Sequence, residues 1–411
     1  MLARFTALPA SVRYMLFAAV GLMVMALAEG IESGDFSRLT SDSAANLMLK
    51  WSVPILLAGL GGLYSERAGV VNIGLEGMMI LGTWFGAWGS IEYGAWAGIV
   101  IGLVGGALGG LLHAVATVTF GVDHIISGVA INLLAPGLVR FLSTEVWNNP
   151  TQSPNASALP KFSLPFLAGG WDTSDLLGDI DDREVFLVSD LAGFTRGLVN
   201  QLSVFTMIAL ALVPITAYLM WRTRFGLRLR IAGENPEAGE TLGVDIYRQK
   251  YAGVIISGAL AGLGGAFMAM ELSGFFQQGQ TGGRGYIGLA ALIFGNWRPT
   301  GVLMAAVLFA YPFGMSRLDR DGTSTHALML VIALALAAVA VWAFRKKRRI
   351  HAGVAVALAV GMIVWYLASE TAPTWFTNTL PYGLVLLVLV FAAQRLRMPA
   401  ADGKPYRKGG T

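Results

Sequence analysis

The stretch WRTRFGLRLRIAGENPEAGETLGVDIYRQK, Trp221 to Lys250, is a charged island between two long apolar segments. It carries six positive charges (Arg222, Arg224, Arg228, Arg230, Arg248, Lys250) beside four acids (Glu234, Glu237, Glu240, Asp245). Its centre reads as a complete short helix. Asn235 suits the N-cap, Pro236 the first helical position and Glu237 the positive end of the helix dipole. Gly243 suits a left-handed C-terminal cap. A doubly capped helix in a loop between two membrane spans suits a docking surface. A solvated connector whose arginines only set topology is the plainer alternative, and the loop alone leaves both open.

The rest of the composition explains why the island must bridge membrane spans. The chain has 411 residues, 55% of them hydrophobic and only 13% charged. Soluble domains carry roughly 25% charged residues. Mean hydropathy is +0.62, more apolar surface than a soluble core of this size can bury. A bilayer accepts such a chain only as helices or a closed barrel, because backbone groups must be satisfied internally. The apolar runs are mostly 18 to 26 residues long and lack dyad alternation, and about 20 residues make one helical crossing. The absence of cysteine removes disulfides, thiolate metal sites and cysteine nucleophiles. The four histidines, His113, His124, His326 and His351, have no metal-ligand spacing. The net charge of +4 reflects basic residues at span ends, the positive-inside pattern, and not a nucleic-acid surface.

Taken in order, Arg4 and Arg13 place the N-terminus inside. The run 14–28 is followed by Glu29 and Glu32 where a cleavage site would need small residues, so it reads as a first span. Further spans fall near 46–63, 94–119, 123–143, 196–221, 249–271, 300–316, 326–344, 351–368 and 377–394. Between the second and third of these runs lies a short glycine-rich segment, Ile73 to Ser90. Gly102, Gly105, Gly106, Gly109 and Gly110 leave one helix face small enough for close backbone approach. The acidic, proline-punctuated stretch 144–195 lies outside, as a partner platform or a solvated cap. The piece 285–297 is short for a crossing, yet the run Arg345 to Arg349 falls inside only if it crosses, as a broken helix. The tail from Arg395 is basic and polar, and is expected inside and disordered.

These assignments give an all-α, polytopic transmembrane helix bundle of about 12 spans, a 10-span core plus a C-terminal hairpin, with both termini cytoplasmic. The expected divisions are 1–45, a core over 46–344 containing the outer loop 144–195 and the inner loop 222–248, and an extension over 345–411. Asn72 to Trp84 weakly repeats in Tyr286 to Trp297, and paired glycine-interrupted segments in two halves point to a translocation path. Candidate pathway residues are Asn72, Glu76, Asn132 and Asn296. Glu76 is the oddest, since a carboxylate at mid-bilayer costs about 2.5–3.5 kcal/mol on insertion scales. It lines a path or serves as a structural hydrogen-bonder, and the residues leave that open. Glu66 and Arg67 read more simply as a cytoplasmic turn. The segment TGGRGYIG at Thr281 lacks the lysine ending of a phosphate loop, and no catalytic constellation is visible, so the chain is not expected to be an enzyme or its own motor.

Three stretches together carry a family resemblance: SERAGVVNIGLEGMM (Ser65–Met79), HIISGVAINLLA (His124–Ala135), and the run from Gly226 through GRGYIGLAALIFGNWRPTG to Gly301. They resemble permease subunits of bacterial ABC importers in the ribose/branched-chain amino-acid permease superfamily, most of all the nucleoside-type permeases. The resemblance spans roughly 45–320 and leaves out the N-terminal extension, the long acidic loop and the hairpin 351–394. It implies a multi-pass protein of the bacterial cell membrane. It implies a cytoplasmic ABC ATPase, with two fused nucleotide-binding halves, gripping the loop between the sixth and seventh spans. In this sequence that coupling element is Glu234, Asn235, Pro236, Glu237, Glu240, Leu242 and Gly243. It implies a second, different permease subunit, an extracellular substrate-binding lipoprotein and alternating access. This chain would bind no cofactor or metal, with ATP and magnesium on the ATPase. Sugar or branched-chain amino-acid cargo stays open, as does an ion-coupled secondary transporter with Glu76 as the coupling carboxylate.

Overall fold

The helices are built to touch backbone to backbone, and glycine spacing sets where. The computed structural model describes residues 21, 23–25, 27–31, 38–183, 185, 188–319, 321–392 and 396–407. The helices from Asp42 onward are α1 (Asp42–Arg67), α2 (Leu75–Tyr93), α3 (Ala95–Ala114), α4 (His124–Trp147), α5 (Leu176–Asp181), α6 (Val188–Val199), α7 (Val204–Arg222) and α8 (Arg224–Glu234). They continue as α9 (Pro236–Thr241), α10 (Ile246–Phe267), α11 (Arg284–Phe294), α12 (Pro299–Leu318), α13 (Thr323–Arg345), α14 (Arg349–Ala368) and α15 (Thr374–Ala392). Wider π-type turns extend α3 through Val115–Thr119 and α10 through Met268–Ser273. The chain is a polytopic helical membrane protein. Eight of the described helices are long and apolar enough to cross a bilayer: α1, α3, α4, α7, α10, α12, α13 and α14. These correspond to eight of the twelve expected spans. The expected span 14–28 and the N-terminal arginines lie mostly or wholly outside the described residues.

The described residues gather into two units. The larger comprises 50–161, 203–310 and 384–411. Its centre is a tight three-helix packing of α2, α3 and α10. A Cβ placed on Gly262 would stand 2.5 Å from the Gly102 carbonyl oxygen and 2.6 Å from Gly106 Cα. One placed on Gly86 would stand 2.6 Å from Ala266 Cβ. The glycine face read from the sequence of α3 therefore meets a second glycine face on α10. Without a hydrophobic force between helices in lipid, such close van der Waals contact is what holds them together. At one end of this unit β1 (Gln152–Asn155) pairs antiparallel with β2 (Phe275–Gln277), with a bulge between the paired positions.

The smaller unit comprises 1–49, 162–202 and 311–383. Arg196 on α6 holds Asp42 Oδ2 at 2.9 Å and Asp175 Oδ2 at 2.7 Å. Asn46 donates to the carbonyls of Gly197 and Asn200 at 3.2 and 3.0 Å. The acidic stretch is thus ordered through this part by specific polar bonds. The expected single span 196–221 is two helices. Asn200 to Ser203 separates α6 from α7, and Ser203 Oγ caps α7 by accepting from the Phe205 amide at 3.0 Å. Helices α13 and α14 are joined at Lys347, whose φ is +59°.

Candidate functional site

The charged island folds as its capping residues dictate. Thr223 Oγ1 accepts from the Gly226 amide at 3.2 Å and starts α8. The sequence alone marks no helix here; Leu229 and Ala232 are the buried residues that fix one. Asn235 Oδ1 accepts from the Ala238 amide at 3.0 Å, and Pro236 opens α9. Gly243, at φ +77°, lets the chain turn back so that the Val244 amide reaches the Gly239 carbonyl at 2.9 Å. Gly239 faces inward: a Cβ there would lie 2.6 Å from Ile231 Cγ2 and 2.9 Å from Ile246 Cδ1. The opposite face of α9 stays open, with Glu237, Ala238 and Thr241 exposed and Leu242 at 76% exposure beyond its end.

This loop is keyed to the adjoining helix ends. Arg67, the last residue of α1, reaches Glu234 Oε1 at 3.4 Å and donates to the Trp297 carbonyl at 2.9 Å. The Trp297 indole donates to Glu66 Oε2 at 2.6 Å. Lys250, only 3% exposed, donates to the Gly69 carbonyl at 3.1 Å. The guanidinium groups of Arg67 and Arg230 each stand 5.7 Å from the Trp221 ring centre. Glu66 and Arg67 are therefore more than a solvated turn. Their sequence signal was a Glu-Arg pair closing an apolar helix.

Residues 396–407 correct the expectation of a disordered tail. They lie against the loop. The Ala401 amide donates to the Gly233 carbonyl at 2.8 Å and the Ala400 amide to Glu234 Oε2 at 3.2 Å. The Tyr406 hydroxyl donates to Glu240 Oε2, and its ring centre lies 5.6 Å from that of Tyr247. Asp402 is 8% exposed, and burial pushes its carboxyl up to about 7 against the pull of Lys250 and Arg67.

A second polar cluster sits inside the larger unit, where the chain between α1 and α2 is not helical. Both oxygens of Glu76, which is 6% exposed, accept backbone amides at the start of α11: Gly283 at 2.9 Å and Gly285 at 2.7 Å. A carboxylate on the N-terminal amides of a helix is favoured by both hydrogen bonding and the dipole. Asn132 accepts from the Gly77 amide at 2.7 Å and donates to the Ile73 carbonyl and the Tyr286 hydroxyl, both at 2.9 Å. Asn72, fully buried, donates to Ser257 Oγ at 2.9 Å. These side chains satisfy backbone that a broken helix would leave bare in the membrane.

Three of the four residues read as pathway candidates, Asn72, Glu76 and Asn132, are thus brought together. Asn296 is not. It lies at the opposite end of α11 with φ +54°, accepting from the Arg397 amide at 2.7 Å beside the charged loop. The starts of α2 and α11 touch: a Cβ on Gly285 would stand 2.5 Å from Glu76 Cα. At 11 residues and about 1.5 Å each, α11 covers roughly 16 Å, half of a bilayer's hydrocarbon. The segment nevertheless runs from β2, paired with β1, to Trp297 at the Arg67 end of α1.

Against this geometry, the chain can be compared with known proteins. Residues 45–318 match the family described as branched-chain amino acid transport system / permease component. The chain belongs to that family. The permease is 38% identical over 271 residues to the nucleoside ABC transporter permease protein NupC of Lactococcus lactis, which covers 64% of this chain and 78% of the relative. It is 36% identical over 275 residues to the guanosine ABC transporter permease protein NupQ of Bacillus subtilis, covering 65% and 80%. It is 32% identical over 265 residues to the putative glucose ABC transporter permease protein TsgC13 of Haloferax volcanii, covering 64% and 74%. No solved structure matches the chain. The permease is a transport component and not an enzyme, and membership implies work alongside an ATPase and a substrate-binding protein. The matched region includes the charged loop and the polar cluster, and it ends before α13, α14, α15 and the tail.

Proposed function

We propose that this permease is a membrane subunit of a bacterial ATP-binding-cassette importer that passes nucleosides delivered by an extracellular lipoprotein. The observation that carries the reading is the similarity, at 38% and 36% identity, to permeases named for nucleoside and guanosine. The 32% identity to a permease named for glucose supports sugar cargo as a second reading. Charged loops remain cytoplasmic in this scheme, so α9 faces an ATPase that holds ATP and magnesium. That ATPase carries two fused nucleotide-binding halves, and a second permease completes the pore. Closure of the ATPase displaces α9 as a rigid body, and the pore switches the face to which it opens. The open face of α9 offers Glu237, Thr241 and Leu242 to the partner. Glu237→Lys reverses charge there without touching any bond described above, and is expected to lower co-purification of the ATPase at least tenfold while membrane insertion persists. Undiminished co-purification refutes docking at α9. Uptake of labelled guanosine by the assembled importer, competed by nucleosides and not by glucose, tests the cargo.

A further inference from the structure

The tail lies beyond the region shared with the family, yet it hydrogen-bonds to three separate parts of the larger unit and packs a ring against a fourth. It touches the α11–α12 turn at Asn296, the end of α8 at Gly233 and Glu234, α9 at Glu240, and Tyr247 at the start of α10. Asp402 sinks between these points, within the electrostatic reach of Glu66 and Arg67 on α1 and Lys250 on α10. The tail takes the Glu240 side of α9. Gly239 occupies the side toward Ile231 and Ile246. The Glu237 and Thr241 side is left free, bordering a cleft of about 560 Å³ whose walls include Glu234, Glu237, Lys404, Tyr406 and Arg407.

We propose that residues 396–407 are a brace that holds the coupling helix α9 in one orientation and ties it to the ends of α1, α10 and α11, with Tyr406 as its positioning residue. A six-residue helix with two exposed caps gains little stability from its own hydrogen bonds, because nucleation is costly. A lever must be stiff to deliver displacement, and the tail provides that stiffness from the Glu240 flank, beside the open face. The brace itself rests on the geometry. Its role in coupling rests on the ATPase reading given above.

The test separates the two. Tyr406→Phe removes one hydroxyl and keeps the ring. In the full-length permease, amide exchange at Ala238 to Val244 is expected to speed up at least fivefold, with α3 and α10 unchanged. A deletion of residues 396–411 is expected to do the same or more. Exchange that stays at the wild-type rate in both variants overturns the brace, whether or not an ATPase docks. In the reconstituted importer, Tyr406→Phe is expected to keep the ATPase bound and to raise ATP hydrolysed per solute at least threefold. An unchanged ratio alongside faster exchange overturns the coupling role of the brace. Loss of docking in Glu237→Lys tests only the earlier reading, because that residue makes none of the brace contacts.

Discussion

Glu76 shows how a single buried charge changes meaning once its partners are known. Its two oxygens hold two amides at the start of α11, so it is a cap for a helix that begins in the buried interior of the larger unit. Glu76→Gln keeps one acceptor and turns an N–H group toward a backbone N–H. The expected cost is about 1–3 kcal/mol, seen as a lower midpoint of thermal unfolding in detergent; an unchanged midpoint would count against the capping role. Asp402 gives the second residue-scale expectation. Burial raises its carboxyl from 3.8 to about 7 in the docked tail. Below pH about 4 both docked and released tails are protonated, and docking pays no penalty. Above that the released tail gives up its proton first, because burial beside the Glu66 carboxyl holds the proton on docked Asp402, so docking weakens as pH rises. The chain lacks cysteine, so spin labels on Thr241→Cys and Lys404→Cys report the distance directly. It should broaden toward long values from pH 5 to pH 8, and Asp402→Asn should flatten that response.

At the scale of elements, the α2–α3–α10 packing depends on glycine at crossing points. Gly262→Ala puts a methyl carbon 2.5 Å from a carbonyl oxygen of α3, and backbone cannot yield as a side chain tip does. Overpacking costs typically about 1–3 kcal/mol, so the variant should give a smaller monodisperse fraction after extraction than Gly353→Ala, where the space around the Cβ is open. The α9 helix was legible from sequence because caps are local: Asn235, Pro236 and Gly243 act within a few residues of each other. The glycine face of α3 was legible as a face, whereas its partner required the fold. The break between α6 and α7 is hard to read because Leu198, Val199, Leu202 and Val204 keep apolar residues on both sides of Asn200, Gln201 and Ser203, the polar residues that mark it. The tail was missed for a different reason. Its docking uses backbone amides and one tyrosine, and composition alone reads such a segment as solvated.

For the whole molecule, the absence of any energy-converting site read in the sequence sets a simple expectation. The permease alone in liposomes should not accumulate nucleoside under a proton or sodium gradient. Accumulation by the single chain would favour the ion-coupled alternative. The family region and the loop it contains were readable from ordered motifs, but the polar cluster needed three elements far apart in sequence to meet. Asn132 on α4, Glu76 on α2 and Tyr286 on α11 share neighbours only after folding.

The two ends of α11 are both pinned. Gly283 and Gly285 sit on the Glu76 carboxylate, and the Trp297 just past its other end is held by Glu66 and Arg67, the latter also reaching Glu234. A short rigid rod fastened in this way behaves as a pushrod. Displacement at the Trp297 end is carried, without bending, roughly 16 Å along the rod to the Glu76 carboxylate.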